Sequence, residues 1–128
     1  MKEPVWLNRE DCFAIHEMML AQHGGLVGVR DEGLLESALS KPRNLFAYSS
    51  PTLPEMAASY AAGIILNHPF LDGNKRTGFM LAATFLEMNE LEFTAMEESV
   101  IEMTLGLASG KLKQAGYAAW LGRNSKAA

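Results

Sequence analysis

The sequence predicts an all-α fold, a single helical domain of about six helices. Three observations carry that expectation. Apolar residues recur every three or four positions over most of the chain, helix-start and helix-stop residues separate the periodic segments, and no stretch alternates strictly enough for a sheet.

The first helix is expected over about 9–23, with Asn8 as N-cap, Asp11 in the first turn and Gly24-Gly25 as the stop. Phe13, Ile15, Met18, Met19 and Ala21 supply its buried side. A shorter helix over about 31–40 starts at Asp31 and is expected to end before Pro42. "LFAYSSPTLP" then reads as a loop or short extended flap, because Pro51 and Pro54 interrupt a helix.

Pro54 suits the first turn of a helix over about 54–67, with Met56, Tyr60, Ile64 and Ile65 at helical spacing. It should end at His68, which precedes Pro69. The next helix, about 73–89, is apolar nearly all round, which predicts the central position in the fold. Helices over about 96–109, closed by Gly110, and about 111–122 follow. Residues 1–122 are thus read as one domain, and 123–128 as a frayed tail.

A chain of 128 residues can bury a real core without disulfides. No apolar run approaches a membrane span, and "MKEPVWLNRED" lacks the apolar core of a signal peptide, so a cytoplasmic protein is expected. The lone cysteine, Cys12, has no pairing partner and reads as a packed helix residue. A net charge of −4 excludes a basic nucleic-acid coat, and no direct nucleic-acid binding is expected. From Thr77 to Gly110 there is no Lys or Arg, so Lys75 and Arg76 are local positive charge beside an acidic half.

Those two cations belong to the densest polar cluster in the chain, "NHPFLDGNKRTGF" at 67–79. A helix opening at Gly73 presents free backbone N–H groups and a partial positive charge, which together favour an anion such as phosphate. Gly73 allows close approach, Lys75 adds a point charge and Arg76 a two-pronged donor. Asp72 is placed to hold Mg²⁺ that bridges phosphate oxygens. His68 is the side chain in the cluster suited to taking a proton. The set is equipment for moving a phosphorus group from a nucleotide to a hydroxyl, and it is not a P-loop.

Each residue also has a plainer role. Asp72 or Asn74 can simply cap the helix, Lys75 and Arg76 can be solvated charge, and a His before Pro is commonly a turn residue. Asn67 has only such a role. His16 lies mid-helix and His23 suits a helix C-terminus. It is their occurrence together, in this order, that favours the chemical reading.

"HPFLDGNKRTG" resembles the signature of the Fic/Doc (Fido) family, HxFx[DE]GNxRxxR, and is nearer the Doc, or death-on-curing, branch, in which Lys precedes the Arg. "GGLVGVRDEGLLESALSKP" (24–42), "FLEMNE" (85–90) and "LASGKL…AAWL" (107–121) resemble Doc-type segments in order. The resemblance implies an all-α fold with the motif loop between two core helices. It implies that His68 is the base, that Asp72 positions Mg²⁺, and that Gly73, Asn74, Lys75 and Arg76 line the phosphate site of ATP, with Phe70 anchoring the loop. It further implies a toxin of a bacterial toxin–antitoxin pair. Such a toxin is a protein kinase that phosphorylates a threonine of elongation factor Tu and arrests translation, and a Phd-type antitoxin neutralises it.

One departure bears on the chemistry. AMP-transferring members carry a second Arg three residues after the first, and this chain has Phe79 there. No [ST]xxxE[GN] inhibitory motif occurs; the nearest, "TAMEES" at 94–99, ends in Ser. The alternatives are an AMP transferase and a catalytically silent Fido binding module.

Overall fold

The computed structural model describes residues 2–128. It runs α1 (Arg9–His23), α2 (Glu32–Tyr48), α3 (Leu53–Asn67), α4 (Asn74–Met88), β1 (Leu91–Phe93), α5 (Glu97–Ser109), α6 (Gln114–Arg123) and β2 (Ser125–Ala127). The fold is all-α apart from one small antiparallel ribbon. No helix among the described residues is long and apolar enough to cross a membrane.

Helix α1 starts where Asn8 places it. The Asn8 side chain accepts from the Asp11 N–H while Asp11 accepts from the Asn8 N–H, each at 2.9 Å, which completes a capping box. Its buried side is Cys12, Ile15, His16 and Met19; Met18 and Ala21, expected inside, face out. Burial pushes the Cys12 thiol up to about 12, so it is no thiolate nucleophile at neutral pH.

Helix α2 does not end before Pro42 but runs through it to Tyr48. A proline at that position removes the bond to the Ala38 carbonyl. Leu35, Ala38 and Pro42 nevertheless form one buried stripe at helical spacing, along which α2 packs against α3. Tertiary packing of that stripe outweighs the lost bond. "LFAYSSPTLP" is therefore mostly helix end and helix start, with only residues 49–52 left as the connection, and no ten-residue flap forms.

The most enclosed helix is α3, where every residue from Met56 to Ile65 is buried. Helix α4, read from sequence as central, shares the core but leaves Lys75, Arg76, Glu87 and Met88 exposed. The reason lies in residue size. Ala57, Ala58, Ser59, Ala61, Ala62 and Gly63 let neighbours approach α3 on all sides, and it packs against α2, α4, α5 and α6. Gly63 lies so near Ala38 that an added Cβ would sit 2.8 Å from that residue's Cβ and 2.9 Å from its Cα.

Helix α6 begins at Gln114, later than expected, behind Lys113. The tail expected to fray pairs instead with β1, Leu91 opposite Ala127 and Phe93 opposite Ser125. Phe93 packs edge-on against Trp120, its ring centroid 5.5 Å away. The ribbon thus seats an aromatic contact that three-residue strands do not announce by alternation.

Candidate functional site

Helices α3 and α4 are joined by residues 68–73, and the loop is held from both sides. At the end of α3, His68 adopts a left-handed conformation, φ 49° and ψ 58°. That is neither the αR region nor the extended region favoured before proline. Phe70 is buried and anchors the loop. It stacks on His16 with ring centroids 3.8 Å apart and meets Phe13 edge-on at 5.9 Å.

His16 does a second thing. Its Nε2 lies 2.9 Å from the Asp72 carbonyl oxygen, so that nitrogen carries the hydrogen and donates it. Residues 25–31 form the other side of the clamp. Leu71 N–H donates to the Gly28 carbonyl at 3.0 Å, and the Arg30 and Asp31 N–H groups both donate to Pro69 oxygen, at 2.6 and 3.0 Å. The Arg30 side chain donates to the carbonyls of His68 and Asn67, at 2.6 and 2.7 Å.

Asn74 completes the loop from within. Its Oδ1 accepts from Phe70 N–H at 3.1 Å and its Nδ2 donates to Phe70 oxygen at 3.0 Å. Both ends of the amide are thereby engaged, and the second Nδ2 hydrogen remains beside the backbone N–H as a donor to an anion. Its plainer role as a cap is excluded, because α4 has no side-chain cap.

Helices α5 and α6 also start without a side-chain cap, so the bare start of α4 counts only together with the charged residues around it. Helices α1 and α3 start with capping boxes, and both carry acidic residues in the first turn. Helix α4 starts at Gly73, φ 75°, with no capping side chain and no acidic residue in its first turn. Thr77 N–H is the first to find a helical acceptor, the Gly73 carbonyl at 3.0 Å. The N–H groups of Asn74, Lys75 and Arg76 precede it and lack an intrahelical partner. Lys75 and Arg76 are exposed and, among the described residues, in no ion pair.

Asp72 flanks this helix start. One carboxylate oxygen accepts from Gly73 N–H at 2.9 Å and the other from Leu26 N–H at 3.1 Å. The side chain is exposed, and each oxygen has a second lone pair that can face a cation. Among the described residues no cluster of three or more His, Cys, Asp or Glu forms a self-sufficient metal cage. A single carboxylate fits Mg²⁺ that takes its other ligands from phosphate and water.

Asp72, Gly73, Asn74, Lys75 and Arg76 all line one cleft of about 930 Å³. Much of the remaining lining is apolar, Met19, Phe79, Met80, Phe93, Val100 and Ile101 among it, with His23, Glu87 and Glu97 as its further titratable groups. His68 is not part of that lining; it stands exposed at the end of α3. The sequence-predicted residues therefore divide into five that share a cleft and one outside it. His16 and Arg30 were missed. Sequence spacing ties neither to the motif, since their contacts span 56 and 37–38 residues.

The chain has recognisable relatives among known proteins. Residues 6–86 match the model of the Fic/DOC family, a region that includes α1, the clamp and the whole motif loop. The chain is 30% identical over 118 residues to "Protein kinase doc" of Escherichia phage P1, covering 91% of this chain and 93% of that protein. It is 36% identical over 94 residues to "Toxin Doc" of Mycolicibacterium smegmatis, covering 70% and 68% respectively.

Proposed function

The chain belongs to the Fic/DOC family, and from that premise we propose that it is the toxin of a toxin–antitoxin pair that transfers the γ-phosphoryl of ATP to a protein hydroxyl. The observation that carries the reading is the uncapped start of α4, flanked by Asp72, Lys75 and Arg76 within one cleft. Three free N–H groups and two cations form a compact anion site for a phosphate chain. Asp72 would hold Mg²⁺, which when bound neutralises charge on the phosphate oxygens.

His68 serves as base. Its imidazole takes the proton of the attacking hydroxyl as the new O–P bond forms and the bond to the ADP oxygen breaks. Its position outside the cleft suits a hydroxyl carried on a macromolecule, which has to approach from solvent. The resemblance makes that hydroxyl a threonine of elongation factor Tu, with arrest of translation as the result. The name of the phage relative, a protein kinase, supports phosphoryl transfer. The name of the mycobacterial one supports the toxin role.

The apolar part of the same cleft, which includes Met19 and Met80, suits a peptide of a Phd-type antitoxin that would cover the phosphate site. The missing inhibitory motif in the chain itself points to the same external control. AMP transfer is the second reading, and Phe79 weighs against it. The Phe79 ring lines the cleft one turn beyond Arg76 and offers nothing to a departing pyrophosphate.

Incubating the protein with a translation extract and ATP labelled at the α or the γ phosphorus separates the two. Label on a protein from γ-labelled ATP alone is the expected result; label from α-labelled ATP alone would establish AMP transfer. In the same system Arg76→Ala is expected to weaken binding of ATP with Mg²⁺ more than Lys75→Ala does, because only Arg makes paired, directional hydrogen bonds to phosphate. Calorimetric titration of both variants decides it, and a greater loss in Lys75→Ala would move the clamp to Lys75.

A further inference from the structure

The His68 N–H closes the Ile64 carbonyl of α3, but the carbonyls of Asn67 and of His68 itself get no donor from the residues just after them. Pro69 has no N–H, and the Phe70 N–H donates to Asn74. The guanidinium of Arg30 takes their place, with Nε on the His68 carbonyl and one terminal nitrogen on that of Asn67. Its own backbone N–H holds the next carbonyl, that of Pro69. One residue, 38 positions earlier than His68, therefore grips three consecutive peptide units.

His68 needs that grip. A non-glycine residue in the left-handed region is costly, and a residue before proline relaxes readily to extended backbone. Either change of φ and ψ would redirect the imidazole. We propose that Arg30 is a positioning residue that locks the His68 backbone left-handed and so aims its ring at the substrate hydroxyl. The inference rests on the reading of His68 as base. Lysine cannot stand in, because one ammonium lacks the rigid fork that spans two carbonyls.

The test compares Arg30→Ala and Arg30→Lys with the unmodified protein in three measurements: kcat and KM for ATP, thermal unfolding, and the NMR signals of the His68 ring. Both variants, or whichever folds, are expected to lose about a hundredfold in kcat, as a small misplacement of a catalytic group does. KM for ATP should stay unchanged, since the α4 site is untouched, and the His68 ring signals should move. Wild-type kcat in Arg30→Lys overturns the inference, as does a fall in kcat with unmoved His68 signals. If the unmodified protein transfers no phosphate, the kinase reading falls. The ring signals then decide alone: movement in Arg30→Lys keeps the positioning role, and no movement ends it.

Discussion

Replacing His68 with alanine is expected to abolish phosphoryl transfer, and with it toxicity on induced expression, while the chain stays folded. A base that accepts the proton in the transition state is worth about a hundredfold to ten-thousandfold in rate. The fold should survive because the side chain is exposed and the loop is held through backbone atoms of residues 67–72 and through Phe70. Glycine at the same position should be equally inactive and no less stable. Glycine enters the left-handed region without the ~1–2 kcal/mol that a side chain costs there. Growth curves at matched protein levels, beside thermal melts of the purified variants, check both halves. Undiminished toxicity of His68→Ala would remove the residue from the mechanism.

The second large effect is expected far from the chemistry. Gly63→Val should lower the melting temperature by on the order of 10 °C. A Cβ at Gly63 falls within 2.9 Å of the Ala38 Cα, a backbone atom that cannot rotate aside. Accommodating even one carbon requires α2 to move relative to α3, and the branched methyls of valine enlarge that shift. Overpacking of this kind costs about 1–3 kcal/mol, which the better helix propensity of valine offsets only in part. A thermal melt by circular dichroism reads the effect directly. An unchanged melting temperature would mean that the two helices do not meet at this point in solution.

What sequence reveals and conceals here follows the range of the interactions. Helix α1 was legible because Asn8 and Asp11 cap it locally. The motif loop was legible as chemistry because its residues are consecutive. The course of α2 was not, since Pro42 is a local stop signal that only the packing of Leu35 and Ala38 on another helix overrides. The strand over Ser125–Ala127 was hidden for a related reason: its partner lies more than thirty residues away, and neither strand is long enough to show a period. At the site, Asp72, Lys75 and Arg76, read from consecutive residues, share one cleft. The dual bond of the Asn74 side chain to Phe70 is a fact of loop geometry that residue type could not disclose. His16 read from sequence only as a mid-helix residue; its stacking on Phe70 shows what it supports.

The bare start of α4 has a consequence for how the protein lasts as well as for how it acts. Helices α1 and α3 are finished by their own side chains; on the proposed function, α4 would be finished by the bound phosphate chain. A ligand that completes an element of the fold adds its binding free energy to the folded state alone. That amounts to about 2.7 kcal/mol when it stands at a hundred times its dissociation constant. If the site takes a nucleotide as proposed, durability and readiness are linked: added nucleotide is expected to raise the melting temperature and to slow proteolysis. Inorganic phosphate or sulfate is expected to give the same protection and to compete with nucleotide, which a thermal melt with and without each anion checks.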